Sequence, residues 1–414
     1  MNRSDDRFTD RRAEPYANEA PPDSAYVHVP FCRHRCGYCN FTLLAGRDDR
    51  IADYLDAIER ELEPIPRTPV ETLFFGGGTP SHLSVAAIGR LAGLVERTFP
   101  RRDGAEVSYE ANPRDLLLPG RLEALVDAGA TRLSLGVQSF SPRKLALLER
   151  DHDAALVRQV IERARPLIAS LSIDLIFGTP GETADEWERD LDAALELPID
   201  HVSTYGLTIE KGTAFYGRTL RGGLVEAEDE VQAHGYERGI ERLSAAGFEH
   251  YEVSNFARSG HRCRHNETYW TDRPWHAVGP GAARFLNSVR ETNHRSTFTW
   301  IARLKQGLSP VAERDALSSE RRARDRFVFG MRRLEGIDIE AFAAATGRTA
   351  RSLAPAAWDR ALEQGWFVER DRRVRLTPRG LLISDSLWPD FLDSDDPDAP
   401  ESDVARASID ERSE

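Results

Sequence analysis

Cysteine is scarce in this chain, four in 414 residues. So few cannot staple a protein of this length, and three of them crowd between positions 32 and 39. A disulfide framework would spread its cysteines, so crowding points instead to a metal or cluster. Long apolar runs are missing as well. No stretch approaches the about twenty apolar residues that span a bilayer. Residues 1–22 are charged and proline-rich and lack the apolar centre of a signal peptide, which predicts a cytoplasmic protein. Positive charge is also in deficit, with 55 basic against 68 acidic residues and a net charge of −13. That balance argues against a nucleic-acid backbone as the main partner. Part of the excess lies in Asp390, Asp393, Asp395, Asp396, Asp398, Glu401 and Asp403, which have little hydrophobic relief between them. Residues 393–414 therefore read as an acidic disordered tail, and residues 1–23 as a disordered leading segment. The rest, in a chain 40% hydrophobic, has the length for one large domain and a smaller one.

What is present is an alternation. Strand-like runs at 25–29, 72–75, 106–110, 132–137, 172–177 and 201–207 are separated by amphipathic stretches at 51–62, 87–98, 121–128, 155–168 and 184–195. A repeat of about thirty residues is the length of a strand–helix–strand crossover. Six such units predict an α/β fold with a parallel sheet, a partial (β/α)6 barrel, with an open doubly wound sheet the alternative that the pattern alone allows. Parallel barrels place their chemistry at the carboxyl ends of the strands. Cys32, Gly76, Gly77, Gly78, Glu110, Gln138, Asp174 and Tyr205 are expected there. A long helix over 228–246, closed by Gly247, and a strand over 250–253 precede an aromatic, histidine-rich stretch at 261–285. Helices at 319–334, 339–346 and 353–364, a hairpin of 366–369 with 373–377 around Asp371, and a last helix from Pro378 predict a winged-helix-like α+β domain over 315–392. The barrel, with the histidine-rich stretch, is assigned to 24–300.

The first strand runs into Pro30-Phe31-Cys32-Arg33-His34-Arg35-Cys36-Gly37-Tyr38-Cys39. The spacing C-x3-C-x2-C lets one loop supply three thiolates. Ordinary [4Fe-4S] sites use four, so one iron would stay open for a further ligand. A zinc site completed by His28, His34 or Cys263 is the alternative. Three glycines after the second strand, Gly76, Gly77 and Gly78, allow close backbone approach and present successive N–H groups to an anion.

These segments resemble one family. Tyr26-Val27-His28-Val29-Pro30-Phe31-Cys32, Phe75-Gly76-Gly77-Gly78-Thr79-Pro80-Ser81, Tyr109-Glu110-Ala111-Asn112-Pro113, Leu135-Gly136-Val137-Gln138-Ser139-Phe140 and Ile173-Asp174-Leu175-Ile176-Phe177-Gly178 are similar to the coproporphyrinogen III oxidase-like group of radical S-adenosylmethionine (SAM) proteins. The resemblance covers about 26–392. It implies a [4Fe-4S] cluster on Cys32, Cys36 and Cys39, and a SAM that is cleaved by an electron from that cluster. It further implies SAM contacts from Tyr26, Tyr38, Gly78, Thr79, Glu110, Gln138, Arg150, Asp174 and Gly206. Side-chain chemistry agrees: Glu110, Gln138 and Asp174 suit ribose hydroxyls or an amino group, and Arg150 suits a carboxylate.

The group holds an oxygen-independent oxidase branch, HemN, and a haem-chaperone branch, HemW. Oxidase members carry another cysteine two positions after the third cluster cysteine, where this chain has Phe41, and a longer segment before the first strand. The run His265-Asn266-Glu267-Thr268-Tyr269-Trp270 matches H-N-x-x-Y-W, a chaperone-branch signature. The resemblance therefore implies haem as a ligand, with His265 as a candidate haem residue and His250, His276 and Cys263 as further candidates for the iron. It also implies recipient haem proteins, transient contacts with membrane proteins, and an electron donor for the cluster. Oxidative decarboxylation of coproporphyrinogen III and a related methyl transfer are the rival activities. The chain departs from the family at Lys211, where proline is usual, and at Trp275-His276-Ala277-Val278-Gly279-Pro280-Gly281, which adds a histidine.

Overall fold

A computed structural model describes residues 21–392. The two terminal segments expected to be disordered lie almost entirely outside them. Six parallel strands form the centre: β1 (Ser24–Val29), β2 (Val70–Gly77), β3 (Arg101–Ala111), β4 (Arg132–Gln138), β5 (Ser170–Phe177) and β6 (His201–Gly206). They pair in chain order, each with the next, as successive right-handed crossovers require. Between them run α1 (Ile51–Leu62), α2 (Val85–Thr98), α3 (Arg121–Asp127), α4 (Pro142–Leu147), α5 (Ala154–Ala164) and α6 (Ala184–Leu195). The sheet is a partial barrel of nine strands. A hairpin, β7 (Glu249–Glu252) and β8 (Asn255–Ala257), extends it antiparallel beyond β6, and β9 (His276–Val278) lies parallel to β1 at the other edge.

The two-residue period of a strand separates the two faces. On β4, Leu133, Leu135 and Val137 are fully buried against the helices. Ser134, Gly136 and Gln138 alternate with them and line an interior cavity. The same alternation on β5 buries Leu171, Ile173 and Leu175 and turns Asp174 and Ile176 inward. Asp174 lies mid-strand, not at the strand's end as expected.

Several sequence expectations are corrected. No secondary structure was expected over residues 283–316, yet they hold a three-stranded antiparallel sheet, β10 (Ala283–Leu286), β11 (Val289–Asn293) and β12 (Val311–Ala316). The barrel limit drawn at 300 falls inside a helix, Thr297–Lys305, whose Trp300 is buried against Tyr54 of α1. The helix expected over 353–364 is two, Ala350–Leu353 and Pro355–Glu363, because a proline disfavours helical backbone in the residue before it. Asp390 belongs to a last helical turn, Pro389–Leu392, and pairs with Arg360. Its neighbour Phe391 joins Phe327, Trp358 and Phe367 in a second core of rings. The hairpin there turns on Asp371 and Arg372, both left-handed, the two-residue turn that matches strand twist.

At the amino-terminal end of the strands, the helix α7 (Arg264–Trp270) forms a floor. Glu106 of β3 accepts from the N–H of Arg264 (3.2 Å) and of His265 (3.1 Å). Those two N–H groups lie in the helix's first turn and have no partner within the helix. Ser24 and Thr268 bond hydroxyl to hydroxyl at 2.9 Å.

Candidate cofactor site

At the carboxyl ends of the strands lies a cavity of about 350 Å³. Cys32, Cys36, Cys39, Tyr38, Gly78, Thr79, Glu110, Gln138, Arg150, Asp174 and Gly206 all line it. These positions span 175 residues of sequence, and only the parallel sheet brings them together. Phe41, 60% exposed, stands at the rim.

The cysteine loop is held by backbone and by one arginine. Leu44 N–H donates to Pro30 O (2.6 Å) and Gly46 N–H to Cys32 O (3.1 Å), so the loop returns alongside β1. Arg35 donates to the carbonyls of Cys39, Phe41 and Leu43, each at 3.2 Å. Cys32 Sγ lies 3.2 Å from Thr79 Oγ1, and Cys36 Sγ 3.8 Å from an Arg150 nitrogen. Burial pushes the Cys32 thiol up to about 12 and raises Cys39 as well. Such thiols release their protons only to a strong positive partner such as iron. Among the described residues no three Cys, His, Asp or Glu side chains close around a single ion. Three thiols from one loop line the same cavity, the donor set that a [4Fe-4S] cluster with one open iron would need. Of the suggested fourth zinc ligands, His28 Nε2 bonds Thr42 O at 2.7 Å and Cys263 is buried beside Glu106 in the floor, while His34 lines the cavity with Nε2 on Glu149 O at 2.7 Å and 3.7 Å from Cys36 Sγ.

The glycine turn is steric. A Cβ on Gly78 would fall 2.8 Å from the backbone of Val29, Pro30 and Phe31, and one on Gly77 (φ +108°) would fall 2.3 Å from the His28 ring. Only glycine lets β2 pass this close to the cysteine loop.

Charges within the cavity are mixed in sign. Arg150 is half-buried, donates to Gly136 O at 2.6 Å, and leaves its buried Nε without a partner. Glu110 accepts from Gly77 N–H at 2.8 Å, and Asp174 from Ser134 at 3.1 Å. Burial raises Glu110 to about 7 and Asp174 to about 6. One half-buried guanidinium and two carboxyl groups that lack full compensation complement a ligand bearing both a carboxylate and a positive charge. SAM is such a ligand. Gln138 sits at φ +68° where the β4–β5 register slips, a strained backbone of the kind that gathers at ligand sites.

A pH dependence follows. A carboxyl with a raised folded pKa stabilises the fold below its unfolded value and loses that contribution as pH rises through the folded value. Six buried histidines with lowered values pull the opposite way below pH about 6.5. The informative quantity is thus a difference. In the ligand-free protein, Glu110→Gln should match wild type in thermal midpoint near pH 5 and exceed it by a few degrees near pH 8. Parallel midpoints across that range would refute the assignment.

Two expected positions fall outside the cavity. Tyr26 lies beneath it, its hydroxyl on His28 Nδ1 at 3.0 Å. His265 is in the floor, 1% exposed, with Nδ1 on Thr72 (2.9 Å) and Nε2 on Tyr269 (2.8 Å). Both ring nitrogens bond within the floor, whereas the expected haem role needs one of them free. His250 stacks on Phe256 and His276 packs beside Phe99, both distant in the chain from the cysteine loop. Lys211 is exposed.

Other supporting residues escaped the sequence reading. Lys144 is fully buried, with Nζ on Ile176 O (2.9 Å), Glu182 (2.5 Å) and Asp190 (2.8 Å). Asp190 in turn accepts from Ser139 Oγ and Phe140 N–H, both at 2.7 Å, just beyond Gln138. Phe215 presses its ring edge on Tyr38 and donates its N–H to Gly37 O at 2.8 Å. A lone lysine or phenylalanine carries no spacing signal; Arg35, inside the cysteine motif, was the one that could have been found.

The comparisons agree with this geometry. The radical SAM superfamily profile matches residues 26–194, and the HemN C-terminal domain profile residues 317–383. The haem chaperone HemW of Bacillus subtilis is 33% identical over 375 residues, covering 89% of this chain and 99% of that protein. The HemW of Escherichia coli is 34% identical over 391 residues, covering 90% and 98%. The solved coproporphyrinogen III oxidase HemN of Escherichia coli superposes with a TM-score of 0.79 at 22% identity, covering 89% of this chain and 90% of that one, a likeness of fold. Near-complete coverage at this identity, on a barrel with three cysteines at its mouth, settles kinship: the chain belongs to the HemW family of radical SAM proteins, a superfamily built around a [4Fe-4S] cluster and SAM.

Proposed function

We propose that this protein is a haem chaperone that binds a [4Fe-4S] cluster, SAM and haem and passes haem to haem proteins. Full-length kinship with HemW proteins carries the reading. Phe41 supports it, presenting an apolar ring at the rim where the oxidase branch has a further cysteine. In this reading Cys32, Cys36 and Cys39 hold the cluster, and the bound cluster supplies one electron to SAM. Arg150 pairs with the ligand's carboxylate through its free Nε. Glu110 and Asp174 meet its positive groups and ribose hydroxyls, and Gly78, Thr79, Gln138, Tyr38 and Gly206 shape the wall. Tyr26 supports this wall from below. Haem meets the protein outside the floor helix, since His265 has no free nitrogen. The protein works in the cytoplasm with an electron donor and takes no nucleic acid.

Haem titration of the purified holoprotein tests the proposal: a saturable Soret shift at about one haem per chain is expected. No binding in either cluster state sinks it. The oxidase reading draws on the fold likeness to HemN. Anaerobic incubation with coproporphyrinogen III, SAM and reductant should leave the substrate unchanged; protoporphyrinogen would reverse the assignment.

A further inference from the structure

The interior of the barrel is filled between floor and cavity by a column of bonded and stacked rings. At the bottom, His265 is tied to Thr72 (2.9 Å) and Tyr269 (2.8 Å) and stacks on Phe74, with ring centroids 5.1 Å apart at 26°. Tyr26 lies above it, 6.4 Å between centroids at 29°, and 6.1 Å from Phe74. The Tyr26 hydroxyl meets His28 Nδ1 at 3.0 Å, and His28 Nε2 meets the carbonyl of Thr42 at 2.7 Å. Thr42 is three residues past Cys39, in the strand of chain that returns beside Cys32. The His28 ring also fills the space where a side chain on Gly77 would be. Every layer is buried or half-buried, and packed interiors transmit displacement because they contain no slack.

We propose that His265 is a positioning residue for the cysteine loop. It acts through Tyr26 and His28 on the Thr42 carbonyl, so that the H-N-x-x-Y-W segment sets the geometry of the cysteines from the opposite end of the barrel. The inference rests on the reading that those cysteines hold the cluster. It gives the motif's histidine a role that needs no contact with haem. His28 fixes the tautomer at the top of the column: with Nε2 facing a carbonyl, that nitrogen carries the proton, and Nδ1 accepts from the tyrosine.

The test uses holoprotein: wild type, His265→Phe, Tyr26→Phe and the double variant, each assayed for iron, SAM affinity, and the electron paramagnetic resonance spectrum of the reduced cluster with SAM added. Tyr26→Phe removes a single oxygen and His265→Phe keeps the ring. Both should retain iron, weaken SAM about 10-fold and shift the spectrum, and the double variant should also lose about 10-fold rather than about 100-fold, because one chain of contacts is broken twice. His265→Gln, which can keep one of the two bonds, should recover part of the affinity and stands in if the Phe variant does not fold. Wild-type affinity and spectrum in the single variants, or additive losses in the double, overturn the proposal. So does a His265 variant that loses haem alone with its cluster signals unchanged. Wild type that holds no iron or no SAM refutes the underlying cluster reading first, and the inference with it.

Discussion

Cys36→Ser protein prepared without oxygen is expected to lose its iron, from about four per chain to less than about one, and with it the brown absorbance. The reason is chemical before it is structural. A cluster with three protein thiolates has no spare ligand, and a serine alkoxide at neutral pH is a poor substitute. Cys36 is also the thiol nearest Arg150, at 3.8 Å, so its loss removes the anion facing that guanidinium. SAM affinity should fall by more than about 100-fold, since a bound cluster would supply an open iron for the ligand and the variant would lack it. The fold should survive. Cys36 lies in a loop outside the main core, and its thermal midpoint should stay within a few degrees of the ligand-free wild type. Cys263→Ser is the matched control: that cysteine sits in the floor beside Glu106, and its substitution should leave iron at the wild-type level. Full iron in Cys36→Ser would remove the cluster from this loop.

Lys144→Met should act in the opposite way, on stability more than on chemistry. The ammonium is fully buried and shared by Glu182, Asp190 and the Ile176 carbonyl, above the face of Trp187 at 5.3 Å. Methionine matches its length and leaves two buried carboxylates without their cation. Breaking a buried ion pair on one side costs about 3–5 kcal/mol, which lowers the thermal midpoint by roughly 10 °C. Asp190 also holds the peptide after Gln138, so SAM binding should weaken in the surviving fold. Combining Lys144→Met with Asp190→Leu should destabilise by less than the sum of the two, because the second change removes one of the stranded charges. A midpoint within about 2 °C of wild type would show that the triad contributes nothing net.

The two variants mark how far sequence reasoning reaches. Cys36 announces itself: its spacing to Cys32 and Cys39 is a local pattern, and local pattern is what a sequence displays. Lys144, Glu182 and Asp190 are brought together across separate crossover units, and nothing in their neighbourhoods marks them as buried. The same divide runs through the cavity. Glu110 and Gln138 were legible because strand alternation and the carboxyl-end rule of parallel barrels place them without knowing any contact, whereas Asp174 lies mid-strand and follows alternation alone. Phe215 and Arg35 support the loop through contacts that no periodicity encodes. The missed sheet over 283–316 has short strands, the second and third separated by the helix Thr297–Lys305, with too little alternation to separate from loop. The split at Pro355 was visible in the sequence and was overridden by helical periodicity on either side of it.

By itself the sequence determined the parallel α/β architecture, the cysteine cluster loop, the glycine turn and the family, because each rests on spacing along the chain. Only the tertiary structure decided where the H-N-x-x-Y-W segment lies. Its composition suits a porphyrin, and His265 read as a haem candidate. Folding buries the ring in the floor, spends both nitrogens on Thr72 and Tyr269, and stacks it beneath Tyr26. A histidine's ligand capacity depends on which of its nitrogens remains free, and here one is taken by Tyr269 four positions on and the other by Thr72, nearly two hundred positions away in the chain.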